Sequence, residues 1–481
     1  MLPPIADLYR LAPELTAAAF GLLIMLVDPF VSRERKSILA RIALLGSLAA
    51  LSANLCSADH PGAGFYGLIT VDAFSVFLRI LIFGVLPLAI LASFDYLKRE
   101  GIQQGEYYAL LLFATCGMGV MAGANELVTA FVGLEISSIS SYILACYRRD
   151  VLKSNESGMK YFLLGSFATA FFLYGVAMTY GATGTTNIAA LHNIIPEMAE
   201  PGVLLIAGLG LMFVGLAFKI AVAPFQVWTP DVYEGAPTPV TALLASAPKA
   251  AAFAIVLRVL YTAFGSASAT WFWIVWASAA MTMIIGNFAA VAQTNVKRML
   301  AYSSIAHAGY LLVAITARNE LGIAAVLFYL VAYSLMKLGA FSIVTHLGGT
   351  GETKLEIEDY AGLAERQPAT AAMLSLFLLS LLGLPLTAGF VGKFYIFKAA
   401  LDARLFWLVL LMAVMSVVGS FYYLRVIWVM YFRESKSEWS PGPLPASVSG
   451  VVLIAAAGTL LLFFFPGVVM LFANEAAAAI Q

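Results

Sequence analysis

Cysteine is almost missing from this chain. Only Cys56, Cys116 and Cys146 occur, and no two stand in a Cys-x-x-Cys spacing. An iron–sulfur cluster or structural zinc site needs several closely spaced thiolates, so both are excluded. Four histidines in 481 residues offer no axial pairs for haem at a workable spacing. Charge is equally scarce. Asp, Glu, Lys and Arg make up 11% of the residues, where a soluble domain carries about a quarter. Lys plus Arg number 27 and Asp plus Glu number 27, so the net charge is zero and no field draws in a nucleic acid. Long polar stretches are absent as well, which leaves no room for an extramembrane domain. What is present is apolar: 62% of the residues are hydrophobic. A soluble globule and a disordered chain are both excluded, and the composition is that of an all-α polytopic membrane protein bathed in lipid.

A helix needs about 20 apolar residues to cross a bilayer. Fourteen segments meet this: 11–31, 37–56, 71–94, 107–123, 126–146, 159–180, 203–223, 240–263, 271–292, 299–316, 321–345, 370–400, 404–431 and 446–473. The most hydrophilic stretches, 183–201 and 348–368, read as loops of about twenty residues. The first ten residues lack a basic start followed by a short apolar core, so no cleavable signal peptide is expected. Basic residues in short loops set orientation. Loops after odd-numbered spans hold fifteen, from Arg33 to Lys436, against Arg10, Arg318 and Arg404 on the other side. That places the odd-to-even loops in the cytoplasm and both termini outside.

The remaining nine basic residues lie in or beside spans. A charge at the bilayer centre costs about 2.5–3.5 kcal/mol. Yet Lys160, Lys219, Lys249, Lys337 and Lys393 sit in apolar segments, with His307 and one carboxylate, Glu135. An ammonium taken out of water loses proton affinity, so a buried lysine can exchange protons near neutral pH; a nearby carboxylate opposes that change. A glutamate and a row of lysines thus make a proton relay. They make a poor sodium site, because hard cations want oxygen ligands. Simpler readings stand beside this one. Lys160, near the start of its span, can snorkel. His307 and Lys337 can be hydrogen-bonded packing residues, and Glu135 can bond to the serines at 137–141. Arg79, Arg258 and Arg425 read as anchors or structural ties.

Proline and glycine interrupt two spans beside a lysine. One reads GLAFKIAVAP, with Lys219 before Pro224; the other reads GLPLTAGFVGKF, with Pro385 before Lys393. Broken helices free backbone groups at membrane depth, which is how many transporters build ion sites. Each break falls in the fourth span of a five-span block. Five is odd, so successive blocks insert with opposite topology, and two inverted five-helix repeats are expected. The division is then 1–106 for three N-terminal spans, 107–263 and 271–431 for the repeats, and 446–481 for the C-terminal span.

The stretches KRMLAYSSIAHAGY (297–310), FKIAVAPFQVWTPDVYEGAPTPVTALLASAPK (218–249) and GLPLTAGFVGKFYIF (383–397) resemble the antiporter-like membrane subunits of bacterial NADH–quinone oxidoreductase, respiratory complex I. The N type fits best: LAPEL (11–15) and VDAFSVF (71–77) are similar to its early spans, and the long lateral helix of the L type is lacking. The resemblance implies a fourteen-helix core with helices 7 and 12 broken. It implies a proton channel in which Glu135, Lys219, Lys249 and Lys393 match the family's positions, with Lys160 at a basic position and His307 in the AYSSIAH stretch. It implies a non-redox subunit of a proton-translocating enzyme in a bacterial inner membrane, partnered by other membrane-arm subunits, including further antiporter-like ones. No cofactor is expected on this chain; flavin and iron–sulfur clusters would sit in other subunits, and quinone would be the complex's substrate. Three other readings remain: a subunit of a multi-subunit cation/proton antiporter, a stand-alone carrier of an organic solute, and a structural spacer.

Overall fold

A computed structural model describes residues 4–198, 202–434 and 442–480. Lys436 and the side chain of Arg33, both counted above for orientation, lie outside the described residues. The helices in chain order are α1 Ile5–Arg10, α2 Ala12–Val27, α3 Ser37–Ala58, α4 Ala73–Arg99, α5 Gly105–Gly123, α6 Leu127–Ala145 and α7 Leu152–Thr183. Then come α8 Ile188–Glu197, α9 Val203–Ile220, α10 Trp228–Gly235, α11 Thr238–Leu244, α12 Ala247–Leu257, α13 Ser268–Val291 and α14 Val296–Thr316. The last are α15 Glu320–Leu347, α16 Leu363–Arg366, α17 Pro368–Leu382, α18 Ala388–Asp402, α19 Phe406–Phe432, α20 Ala446–Phe464 and α21 Pro466–Ala478. A π-helical turn, Arg258–Ala263, prolongs α12. Strands β1 Gly62–Gly64 and β2 Ile69–Val71 form a small antiparallel hairpin.

Thirteen helical stretches among the described residues are long and apolar enough to cross a membrane. The shorter α17 is apolar as well, and α18 follows it after a five-residue gap. The architecture is therefore the polytopic helical bundle that the apolar runs imply. Both expected breaks are present. Helix α9 stops at Ala221, which takes a left-handed conformation (φ 60°), and the chain does not resume a helix until Trp228. Helix α17 stops at Gly383 (φ 91°), and Pro385 lies in the gap before α18. Proline has no N–H to continue the ladder, and a left-handed residue turns the chain away from it.

Three boundaries differ from the sequence reading. The stretch 183–201 is not simply a loop. It contains α8, capped by the Asn187 side chain on Ala190 N at 2.9 Å, with Ile188, Leu191 and Ile195 buried. Its interspersed Asn, His and Glu disguise an amphipathic turn pattern. The segment 446–473 is two helices, because Pro466 opens α21. The eighth span is also interrupted, between α11 and α12 at Ser246 (φ −119°, ψ −89°), just before Pro248.

Lipid offers no hydrophobic drive for helix association, so close packing of small residues does that work. Where α5 crosses α6, a Cβ added to Gly117 would stand 2.6 Å from the Gly133 carbonyl oxygen, and one added to Gly133 would stand 2.9 Å from that of Gly117. The backbones touch there because neither residue has a side chain.

Two short backbone clasps tie helix starts to distant loops. Leu127 N donates to Thr186 O, and Ile188 N to Asn125 O, each at 2.9 Å. Val296 N donates to Leu355 O, and Ile357 N to Thr294 O, each at 2.8 Å. Every position in the second clasp follows its counterpart by 169: Asn125 to Thr294, Leu127 to Val296, Thr186 to Leu355, Ile188 to Ile357. Five of the apolar helical stretches separate the two clasps, an odd number, so alternation of direction sends the clasps to opposite faces.

Candidate functional site: a buried row of lysines at the helix breaks

Helix α9 carries Lys219 into the interior one residue before its end. The Lys219 ammonium donates to Ser138 Oγ at 2.7 Å and lies 3.5 Å from the Tyr161 hydroxyl. Glu135 is one turn away from Ser138 on α6. Its Oε1 is buried without a hydrogen-bond partner, and no ion pair within 4.0 Å joins it to Lys219 among the described residues. Nor does it bond to the serines. Ser138, Ser140 and Ser141 each donate to a backbone carbonyl four residues back in α6. The expected Glu–Lys pair is therefore a shared neighbourhood and not a direct contact.

Tyr161 stacks on Trp228 of α10, their ring centres 4.5 Å apart. Trp228 meets Tyr233 edge-on, and the Tyr233 hydroxyl donates to Leu244 O at 3.0 Å. Leu244 ends α11, so this aromatic stack leads from Lys219 to the break above Lys249.

Beyond that break the polar groups are densely linked. Lys249 donates to Ser304 O at 2.6 Å. Lys337 donates to Leu300 O at 2.8 Å and to Ser303 Oγ at 3.0 Å. Both ammonium groups lie over the ring of Tyr333, at 5.5 and 5.6 Å, and the Tyr333 hydroxyl donates to Ser304 Oγ at 2.7 Å. His307 uses both ring nitrogens: Nδ1 is 2.6 Å from the Tyr329 hydroxyl and Nε2 is 3.0 Å from that of Tyr423. Ser303 Oγ is 2.5 Å from the same Tyr423 hydroxyl. Lys393, in the first turns of α18, donates to Leu382 O at 2.7 Å and faces the ring of Tyr310. Lys219, Lys249, Lys337, Lys393 and His307 are all at most 6% exposed.

Lys160 does not join them. Its side chain is 41% exposed and pairs with Asp231 (2.6 Å) and Glu156 (2.7 Å). The reason is position: it faces the polar side of α10. Arg298, at the start of α14, pairs with the same Asp231 (2.7 Å) and with Glu234 (2.9 Å). Two small cavities of about 210 and 140 Å³ open here, with Lys153, Glu234 and Gly235 in both walls. Burial alone would raise the Asp231 carboxyl, but its hydrogen bonds and charge contacts with Lys160 and Arg298 outweigh that and hold it below the ordinary range. Glu352 follows the same logic. Burial opposes ionisation, but Lys297 and the Thr238 N–H and hydroxyl keep its carboxyl low.

The three arginines are ties. Arg79 pairs with Glu14 at 2.8 Å, Arg258 with Asp72 at 2.9 Å, and Arg425 donates to Gln293 O at 3.2 Å. The residues that sequence reading missed are hydroxyls: Ser303, Ser304, Tyr161, Tyr329, Tyr333 and Tyr423. A signal existed for two of them. Tyr329, Tyr333 and Lys337 follow an i, i+4, i+8 spacing, one face of α15. Among the described residues no group of three or more His, Cys, Asp or Glu is arranged to hold a metal.

A family model described as NADH:quinone oxidoreductase/Mrp antiporter, TM, matches residues 124–419, and the chain belongs to this family of antiporter-like membrane subunits. Its relatives are more specific. NADH-quinone oxidoreductase subunit N 1 of Solibacter usitatus (strain Ellin6076) is 48% identical over 476 residues, covering 99% of this chain and 98% of its own. A chain of respiratory complex I from Thermus thermophilus superposes with a TM-score of 0.81 at 35% identity, covering 95% of this chain and 98% of that one. A chain of the Mrp complex from Dietzia sp. DQ12-45-1b superposes with a TM-score of 0.87, covering 98% of this chain and 97% of that one. At 21% identity it shows a shared fold alone.

Proposed function

We propose that this chain is the N-type membrane-arm subunit of a bacterial NADH–quinone oxidoreductase, and that it moves protons through Glu135, Lys219, Lys249, Lys337, His307 and Lys393. Electron transfer from NADH to quinone takes place in other subunits, which hold the flavin and iron–sulfur clusters. This chain supplies a path for the proton and binds neighbouring membrane-arm subunits, including further antiporter-like ones. The near full-length identity with subunit N relatives favours this over a cation/proton antiporter subunit, for which the shared family model and fold likeness speak. The observation that carries the transport reading is the placement of three buried lysines, Lys219, Lys249 and Lys393, beside three helix interruptions, with Lys337 and His307 buried on the continuous helices between them. A charge at such depth is retained where it serves an ion path.

The route runs from Lys219 through Lys249 to Lys337 and His307, then to Lys393 at the second break. Lys160, Asp231 and Arg298 form its charged mouth on the face rich in basic loops. By the basic-residue bias that face is cytoplasmic and both termini are periplasmic. Two inverted five-helix repeats, 107–263 and 271–431, flank this path. The two clasps, 169 positions apart on opposite faces, support that division.

The test uses the intact complex in sealed vesicles. Lys219→Ala and Lys249→Ala should each reduce proton uptake at least several-fold while the complex still assembles, with NADH oxidation followed in parallel. Full uptake in both variants would make this chain a spacer.

A further inference from the structure

The hydrogen bonds around His307 admit one continuous direction. An ammonium has three donors and no acceptor, so Lys337 donates to Ser303 Oγ at 3.0 Å. Ser303 is then free to turn its own proton to the Tyr423 oxygen, 2.5 Å away. Tyr423 in turn donates to His307 Nε2 at 3.0 Å. That leaves the neutral imidazole protonated on Nδ1, which donates to the Tyr329 oxygen at 2.6 Å. Four consecutive bonds thus point one way, from Lys337 to Tyr329. Tyr423, Tyr329 and Ser303 are all buried. Tyr423 is the one link contributed by α19, and its oxygen joins Lys337's serine to the histidine.

We propose that Tyr423 is a proton-relay residue between Lys337 and His307. This rests on the proton-transport reading above. In the step, Lys337 loses an N–H proton to Ser303 as Ser303 gives its own to Tyr423 and Tyr423 gives its own to Nε2. Each oxygen forms one O–H bond and breaks one. Lys337 becomes a neutral amine and His307 an imidazolium, so one positive charge moves and no co-reactant is consumed. Tyr329 accepts from Nδ1–H and so holds the ring with Nε2 facing Tyr423.

The test compares Tyr423→Phe, Lys219→Ala and the unaltered chain in the intact complex in sealed vesicles, reading proton uptake and NADH oxidation. A second substitution puts 3,5-difluorotyrosine at 423, which keeps the hydroxyl but makes it more acidic. Tyr423→Phe should slow uptake by roughly a hundredfold, the low end of what a positioned proton-transfer group contributes. The fluorinated residue should restore uptake with a pH profile displaced towards acid, a change that a packing role does not produce. Normal uptake in Tyr423→Phe, or an undisplaced profile with the fluorinated residue, overturns the proposal. If Tyr423→Phe fails to assemble, the fluorinated variant decides alone. If Lys219→Ala stops uptake while Tyr423→Phe does not, Tyr423 alone is wrong; if neither does, the transport reading falls.

Discussion

The Lys393 ammonium closes on the Leu382 carbonyl oxygen at 2.7 Å, so the second half of the broken twelfth span caps the first. Helix ends leave carbonyls without partners, and at membrane depth no bulk water replaces them. Lys393→Met keeps the apolar stem and removes the donor. The unpaired carbonyl then costs about 1–3 kcal/mol. Amide hydrogen exchange across 382–387 should speed up roughly tenfold or more in the assembled complex, since 1.4 kcal/mol is a factor of ten. Lys393→Arg, which keeps a donor, should hold the slower rate.

Glu14 of α2 and Arg79 of α4 form an ion pair that is almost wholly buried. Removing one partner of such a pair strands the other charge and costs about 3–5 kcal/mol, while replacing both with apolar residues is often neutral. Arg79→Leu alone should sharply reduce the amount of complex recovered from membranes. Glu14→Leu combined with Arg79→Met should restore much of it. Recovery as poor in the pair as in the single variant would give the ion pair a role other than tying helices.

Asp231 joins Lys160 of α7 to Arg298 of α14, and its carboxyl titrates below its ordinary 3.8 in the folded protein. A carboxyl lowered by folding stabilises the fold above its unfolded value. That stabilisation is lost only as pH falls through the lower folded value. Thermal unfolding of the purified complex should therefore gain nothing from Asp231→Asn at neutral pH and should lose stability there. The difference between Asp231→Asn and the unaltered complex should shrink only below about pH 3.8. A difference that vanished near pH 6 would assign the pH dependence to another group.

Gly133→Leu should separate α5 from α6. Even an alanine there meets the Gly117 carbonyl oxygen at 2.9 Å, closer than real methyl contacts allow. The displaced helix carries Glu135 and Ser138, so proton uptake should fall with the yield of complex. Gly84→Ala, where nothing stands within 4 Å of the added methyl, should change neither and serves as the control.

The spans were legible because lipid demands long apolar runs, and the two breaks because proline and glycine mark them beside Lys219 and Lys393. The lysine row was legible for the same reason: an ammonium in an apolar run is conspicuous. Its connections were not. Serine and tyrosine are common packing residues, so nothing at 303 or 423 announces a bridge between helices 120 residues apart in the chain. Lys160 stood open between snorkelling and the relay, because its direction depends on where α10 folds back to offer Asp231. Helix α8 escaped because its polar residues sit among buried ones, and only the docked structure shows which face is inside.

The two clasps carry a lesson for anyone recutting this scaffold. Positions 125, 127, 186 and 188 have exact numerical twins at 294, 296, 355 and 357. A graft that lengthens the connection at one rim has a matching slot at the other. Tolerance maps of the two rims should rise and fall together, though no stretch of letters in one copies the other.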